Sequence, residues 1–449
     1  MRTAAVICEF NPFHNGHAYI LRKLREEYGA DYIIAIMSGN YVQRGEPAIF
    51  DKFLRTEAAL KGDGDKGYAD VVIELPTIYS TASAGSFAFG GVSLALLTDV
   101  ADILGFGVEE GLSLDDIRRQ AELKANLEQD GEANASVRES LSRGLSYPEA
   151  ISSCLGNTAA QGFSYAPNNI LATEYVYMLN RYDTGHSIEP VAIPRIGDGY
   201  SSTVASDAGY CSAQAIRKKL FEISAFCGSL RPTDSACLIA ADSKAAGIHP
   251  TDCQNTDKPS ACPAPTDGSS AAELDAFLRT YIPNNVLSVR APKPISPDIL
   301  SGLLSKALLD AKYRGKNLTE YSDVSREIAD RLIKSADKPM SFTERIAFVK
   351  TRQYTYTRIS RALLHIVLGI YGDTKTNPSI NKAGSYIRLL GFRREAAPLL
   401  KQLKANTKVP VITKPADYVS LIADEAYYSG IIYSLTDGRS EYEHSPIIV

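Results

Sequence analysis

A short apolar run, Ala4-Ala5-Val6-Ile7-Cys8, leads almost at once into His14-Asn15-Gly16-His17, and an amphipathic stretch follows. This opening segment constrains the fold more than any other feature. A continuous apolar run reads as a buried strand of a parallel sheet. A helix that opens just beyond such a strand directs its N–H groups and dipole at the sheet edge where anions bind. Two histidines one helical turn apart project toward the same point. There they can donate to phosphate oxygens as charge builds in a transition state. Gly16 is expected to remove a Cβ where a nucleotide ring must lie close to backbone. Pro12 is expected to stiffen the loop, and Asn11 to bond locally and fix the turn. Two plainer readings compete: a pair of surface histidines at a helix start, or a zinc pair. With six histidines in the chain and no third ligand at metal spacing, no resident metal is expected.

The rest of the first half alternates strand and helix. Strand-like runs are Tyr32–Met37, Asp70–Leu75, Ile103–Phe106 and Ile188–Ile193; helical patterns cover His17–Tyr28, Asp51–Leu60 and Gly85–Leu97. This order implies an α/β unit with right-handed crossovers. A short helix is expected from Ser212, its N-cap. From Ser243 to Ser270 the composition turns to Pro, Asp, Ser and Thr, which marks a linker. Helices are then expected over Ala271–Tyr281, Pro297–Leu309, Ser325–Lys334, Ser341–Thr351, Tyr356–Leu368 and Ser385–Lys401. Short strands are expected at Val409–Ile412 and Ile431–Ser434. The expected division is residues 1–225 as the nucleotide-binding catalytic unit and 226–449 as a mainly α-helical unit, with the linker near 243–270.

Seven cysteines, an odd number without a C-x-x-C pair, argue for reduced thiols and a cytoplasmic setting. No apolar run is long enough to span a bilayer, and no signal peptide is read at the N-terminus. The net charge of -4 hides an asymmetry. Between Lys338 and Lys408 fourteen Lys/Arg face three acids, a local excess of about +11. Within it Lys350, Arg352, Arg358 and Arg361 recur at helical spacing with Tyr354 and Tyr356 between them. Cations for phosphates and tyrosines for unpaired bases suggest RNA; a solvated helix face over a core is the alternative.

His14-Asn15-Gly16-His17 resembles the H-x-G-H signature of the nucleotidylyltransferase and class I aminoacyl-tRNA synthetase superfamily. The resemblance implies a Rossmann-like parallel sheet of nucleotidylyltransferase type. The superfamily's second element, a basic helix start, fits Ser212-Ala213-Gln214-Ala215-Ile216-Arg217. Ser212 would bind phosphate, and Arg217 would neutralise departing pyrophosphate. Longer segments are similar to the tRNA(Met) cytidine acetate ligase family. They are Glu9 to His17, Met37 to Pro47, Asp70 to Pro76, Pro167 to Leu171 with Glu174-Tyr175, and Thr357 to Arg361. The resemblance implies ATP-dependent activation of acetate as acetyl-AMP, with Mg2+ bridging phosphates. The acetyl group would then pass to N4 of the wobble cytidine of elongator tRNA(Met).

Carried over residue by residue, the ATP segment runs from Ile7 to Ile20 and includes Asn11, Pro12, Phe13, His14, Asn15, Gly16 and His17. Gly107, Asn168 (or its neighbour Asn169) and Arg195 match further nucleotide contacts. The catalytic set implied is His14, His17 and Arg217. Arg44 would face phosphate or RNA, or pair with a nearby acid. Lys61–Gly67 and Ser243–Ser270 depart from the family pattern. The sequence names no general base for acyl transfer and does not separate acetate from another short acid. A small-molecule adenylyltransferase and a non-catalytic RNA-binding protein stay open as alternatives.

Overall fold

Each strand-like run of the first half is a strand of one sheet. The computed structural model describes residues 1–62, 68–109, 112–142, 166–182, 185–196, 211–228, 276–283, 286, 294–351, 354–372, 384–414, 430, 432–434 and 445–449. Strands β1 (Thr3–Cys8) and β2 (Tyr32–Ser38) pair in parallel from Thr3 opposite Tyr32 to Cys8 opposite Met37. A separate hairpin follows, β3 (Tyr41–Val42) with β4 (Glu46–Pro47). Strands β5 (Val71–Leu75), β6 (Ile103–Val108) and β7 (Glu189–Pro194) complete the parallel set, in the spatial order β5-β2-β1-β6-β7. The chain steps outward on one side of β1 and later returns on the other. That places a topological switch point between β1 and β6, where such sheets open a crevice at the strand C-termini.

The period of two along β1 sorts its side chains between two cores. Ala4, Val6 and Cys8 pack with Leu21 and Leu24 of α1 (Asn15–Glu26) and with Ala59 and Leu60 of α2 (Lys52–Leu60). Ala5 faces the other layer. There, beyond α3 (Thr77–Ser80), α4 (Ala84–Thr98) contributes Val92 and Ala95. After α5 (Leu114–Gln129) and α6 (Gly131–Ser142), α7 (Pro167–Arg181) adds Tyr175 and Val176. Helix α4 is apolar all round because it is covered on both sides, by the sheet and by neighbouring helices. Helix α8 (Ala213–Gly228) opens after Ser212, whose Oγ accepts the Ala215 N–H at 3.1 Å, as the N-cap reading expects.

Beyond the segment 243–270, which lies outside the described residues, four helices build their own core. They are α9 (Ser301–Arg314), α10 (Arg326–Ser335), α11 (Phe342–Val349) and α12 (Tyr356–Leu368). Tyr41 from the β3 hairpin enters that core. The expectation of a helix over Ser385–Lys401 is corrected. Residues Ile387–Phe392 form β8, which pairs antiparallel with β5, and helix α13 occupies only Ala397–Asn406. An apolar run as short as Ile387-Arg388-Leu389-Leu390 fits either period, and the open edge of β5 decides it. Gly391 permits the close approach, since a Cβ there would lie 2.6 Å from Thr56 Cγ2 and 2.8 Å from Ile447 O.

Strands β9 (Val411–Ile412) and β10 (Ile447–Ile448) extend the same sheet, pairing with β8. The second half is thus mainly helical through residue 372, and its later part returns to the first-half sheet. Ile431–Ser434 was expected as a strand; its described residues 432–434 are helical instead. Of Lys61–Gly67 only the first two residues are described. Among the described residues no helix is long and apolar enough to cross a membrane.

Candidate active site

A cavity opens at the switch point, over the C-terminal ends of β1, β6 and β7. The loop from β1 to α1 forms its floor. His14 is the N-cap of α1, and its Nδ1 accepts the Gly16 N–H at 3.0 Å. His17 answers by accepting the His14 N–H on its own Nδ1 at 3.3 Å. The two imidazoles therefore make a reciprocal capping box, and their rings stack with centroids 3.8 Å apart. An Nδ1 that accepts holds no proton, so each neutral ring carries its proton on Nε2. Burial lowers the pKa of His14 to about 3, assisted by the charges of Arg195 and Arg217. Burial and then His14 lower that of His17 in the same direction. The pair is a set of neutral N–H donors, and positive charge comes from elsewhere.

Gly16 lines the cavity, and a Cβ there would lie 2.9 Å from His14 Cε1, so the glycine also makes room for the cap itself. Two of the first-turn amides are already bonded: the Gly16 N–H meets His14 Nδ1 and the His17 N–H meets the His14 carbonyl at 2.9 Å. Asn11 does not bond locally. Its Oδ1 accepts the N–H of Ile49, far along the chain, at 2.9 Å. Pro12, Phe13 and Asn15 do not line the cavity. Phe13 is buried against Phe10 and Tyr68, and Asn15 Nδ2 donates to the Thr280 carbonyl at 2.9 Å.

The remaining sequence candidates converge. Ile7, Asn11, His14, Gly16, His17, Ile20, Gly107, Asn168, Arg195, Ser212 and Arg217 all line the one cavity. Arg217 Nη1 donates to the Asn11 carbonyl at 2.8 Å, which ties α8 to the histidine loop. Glu109, at the end of β6, holds two more members. Its Oε1 accepts from Asn168 Nδ2 at 2.6 Å and lies 3.9 Å from Arg195 Nη1. Asn169 is buried with its Oδ1 on the Glu109 N–H at 2.9 Å, so Asn168 is the member of the pair that reaches the cavity.

Sequence reasoning passed over Glu9, Arg55 and Glu109 as site residues. Arg55 is buried beneath the loop. It donates to the carbonyls of Phe50, Glu9, Ser38 and Gly39, and so gathers the chain ends beyond β1 and β2. Glu9 lines the cavity, and its Oε1 accepts the Gln43 N–H at 2.7 Å. Burial raises its pKa, while the Gln43 N–H and then Arg217, Arg55 and Arg44 draw it back. The only available signal was position: Glu9 and Glu109 both stand one residue past a buried parallel strand.

Arg44 also lines the cavity, and its Nη1 donates to Gln214 Oε1 at 3.3 Å. Its neighbour Gly45 has φ +79, and a Cβ there would lie 2.3 Å from the Arg361 backbone nitrogen. The hairpin turn thus sits directly on α12, and Ser360 Oγ donates to the Gly45 carbonyl at 2.8 Å.

The basic stretch is used differently from its expected role. Arg361 Nε donates to Asp323 at 2.8 Å, and Tyr354 is buried with its hydroxyl accepting from Ser325. Arg358 lies over the Tyr354 ring, 4.9 Å from its centroid. Tyr354 is therefore not placed to stack on a base, and Arg361 is held inside the fold. Arg345 is buried on the Ser335 and Lys338 carbonyls, and Arg388 pairs with Glu74 at 2.9 Å. Arg352 lies outside the described residues. Among the described residues of the stretch the exposed cations are Lys338, Lys350, Arg394, Lys401, Lys404 and Lys408.

For Mg2+, the donor set does not amount to a protein-held site. Among the described residues no cluster of three His, Cys, Asp or Glu side chains could hold a metal, and the cavity offers one carboxylate, Glu9.

The sequence matches the HIGH Nucleotidyl Transferase family over residues 1–443. It is 32% identical to a tRNA(Met) cytidine acetate ligase of Clostridium kluyveri, over 92% of this chain and 90% of that one. It is 30% identical to the enzyme of that name from Caldanaerobacter subterraneus, over 97% and 94% of the two chains. Its fold superposes on apo Thermotoga maritima TmcAL with a TM-score of 0.77 at 24% identity, covering both chains fully. The same protein bound with alpha-thio ATP matches with a TM-score of 0.74 at 25% identity, over 100% of this chain and 99% of that one.

Proposed function

The chain belongs to the tRNA(Met) cytidine acetate ligase family, within the HIGH nucleotidyl transferases, and from that premise we propose that it joins acetate to ATP and acetylates N4 of the wobble cytidine, C34, of elongator tRNA(Met). One observation carries the reading. His14 and His17 are locked by their Nδ1 atoms as neutral Nε2–H donors in a cavity that Arg44, Arg195 and Arg217 also line. Such a site holds a polyphosphate by charge and stabilises its transition state by hydrogen bonds that are already in place.

In the first step an acetate oxygen attacks the α-phosphorus of ATP in line, and pyrophosphate leaves with the electron pair. His14 and His17 donate to the phosphate oxygens on which charge accumulates. Arg217 offsets the leaving group, and its bond to the Asn11 carbonyl keeps it over the loop. Ser212 stands at the same helix start, one turn before Arg217. Ile7, Ile20 and Gly107 form the less polar wall suited to the adenine, and Asn168 and Arg195, held by Glu109, reach the nucleotide from the β6 side. Mg2+, when bound, would neutralise phosphate charge and would be held by the nucleotide's own oxygens. In the second step the cytidine amine takes the acetyl group and AMP departs.

Residues up to 225 supply the ATP chemistry, and the stretch from Lys338 to Lys408 supplies the RNA-facing side through its exposed lysines. Free thiols at Cys8 and Cys211 suit a cytoplasmic enzyme.

Incubation with ATP and labelled acetate, with and without tRNA(Met), tests the reading. Label should enter the tRNA only when ATP is present. ATP turnover with a nucleotide or phosphate-ester acceptor and none with acetate would sink it, as would tRNA binding without any ATP turnover.

A further inference from the structure

Acyl transfer to an exocyclic amine needs a proton acceptor. The cytosine N4 lone pair is delocalised into the ring, so the nitrogen attacks well only if an N–H proton leaves as the N–C bond forms. The two histidines do not serve. Each accepts a backbone N–H on Nδ1 and keeps its proton on Nε2, which makes both of them donors toward the cavity. Arg44, Arg195 and Arg217 have no acceptor atom. Among the described residues lining the cavity, Glu9 is the carboxylate. Its Oε1 is oriented by the Gln43 N–H at 2.7 Å, and its Oε2 carries no hydrogen bond among the described residues. A carboxylate is also the side chain that accepts from a cytosine amine in base recognition.

We propose that Glu9 is the general base of acyl transfer. Its Oε2 takes one proton from the exocyclic amine as the nitrogen bonds to the acetyl carbon. The bond from that carbon to the AMP phosphoryl oxygen breaks, AMP leaves with the electron pair, and the proton on Glu9 passes to solvent. This rests on the acetyl-adenylate reading above. The surroundings support it. Glu9 sits at the end of β1, directly before the loop that carries the histidines. Its orienting partner, Gln43, belongs to the turn that α12 grips through Ser360 and Gly45. The base is thus aligned by a turn that is itself seated on the helical core. Burial holds its pKa above the ordinary carboxylate value, nearer to working pH, where a base is most effective. The groups facing it are Arg44, Arg55, Arg217, Cys8 and Tyr175. Of these the arginines stay charged throughout, and burial pushes the titrations of Cys8 and Tyr175 upward, away from that of a carboxylate.

The experiment compares two half-reactions in the full chain and in Glu9→Gln and Glu9→Asp. One is acetate-dependent exchange of labelled pyrophosphate into ATP; the other is transfer from supplied acetyl-AMP to a tRNA(Met) transcript. Glu9→Gln should slow transfer by roughly 10²–10⁴-fold relative to exchange, the range for loss of a general base. Glu9→Asp should recover at least part of that loss. The wild-type transfer rate should show an acid limb that Glu9→Gln lacks. Exchange needs the folded site and so reports folding on the same sample. Unchanged transfer, or equal loss of both half-reactions in both variants, would overturn the assignment. A wild-type protein that neither exchanges pyrophosphate with acetate nor consumes acetyl-AMP would overturn the ligase reading itself, before any variant is compared.

Discussion

Residues 11–17 and residues 338–408 both carry side chains suited to a polyanion, and the protein uses them in opposite ways. In the first segment the histidines bond to backbone atoms two and three residues away and still present Nε2–H to the cavity. In the second, several of the cations that define the charge excess are turned inward. Arg345 lies on carbonyls of residues 335 and 338, Arg361 pairs with Asp323, and Arg388 pairs with Glu74. Local bonding leaves a functional atom facing out; long-range bonding turns the head group inward. Charge counted along a chain therefore overstates the charge a partner meets, whereas a motif whose partners lie within one turn keeps its chemistry.

The contrast breaks most sharply at His17. His17→Ala removes one Nε2–H donor and one half of the capping box. Loss of a single donor of this kind should slow acetate-dependent pyrophosphate exchange by roughly 10²–10³-fold. Affinity for tRNA(Met), measured by filter binding, should stay within a few-fold of wild type. If tRNA affinity falls along with exchange, His17 is framework rather than chemistry, and the two segments are not opposites.

The parallel sheet and the histidine loop were legible because their signals are local. Ala4–Cys8, Tyr32–Met37 and Asp70–Leu75 read as buried strands from their apolar runs, and His14-Asn15-Gly16-His17 reads from its placement just after the first of them. What stayed hidden depends on contacts far apart in sequence. Strand β8 forms because β5 has an open edge more than three hundred residues earlier. Glu9 matters because a hairpin at Gln43 orients it, and Glu109 because it gathers Asn168 and Arg195. A further reason for Gly16 was hidden for a related cause: one group that needs the space belongs to its own cap, which only the folded loop shows.

A second effect follows from the low pKa values in the first segment. An unfolded imidazole titrates near 6.5, while folded His14 titrates at about 3. Between these values the unfolded chain holds a proton that the folded loop does not. The stability contributed by a neutral His14 is complete above about pH 6.5 and is lost as pH falls toward 3, with His17 acting in the same direction. The slope is at most about 1.4 kcal/mol per pH unit for each histidine. Urea denaturation at pH 7.5 and pH 5.0 should show His14→Asn, which keeps a capping side chain but does not titrate, losing less stability on acidification than wild type. An equal loss in both proteins would mean that other groups, such as paired carboxylates, carry the acid sensitivity.

The smallest effects sharpen the contrast from the side of the second segment. Arg361→Ala leaves Asp323 partly buried without its charged donor and should cost about 1.5–3 kcal/mol in denaturant stability. It should leave the salt dependence of tRNA binding unchanged, because the guanidinium already faces inward. Lys401 and Lys404 are exposed on α13 and bear on the opposite quantity. Replacing either with alanine should leave stability within about 0.5 kcal/mol of wild type. If these lysines meet phosphate, each replacement should reduce the slope of log affinity against log salt by about 1. A slope that responds to Arg361 but not to the lysines would reverse the assignment. It would place the RNA on the face of α12 beside the hairpin rather than on the outer lysines.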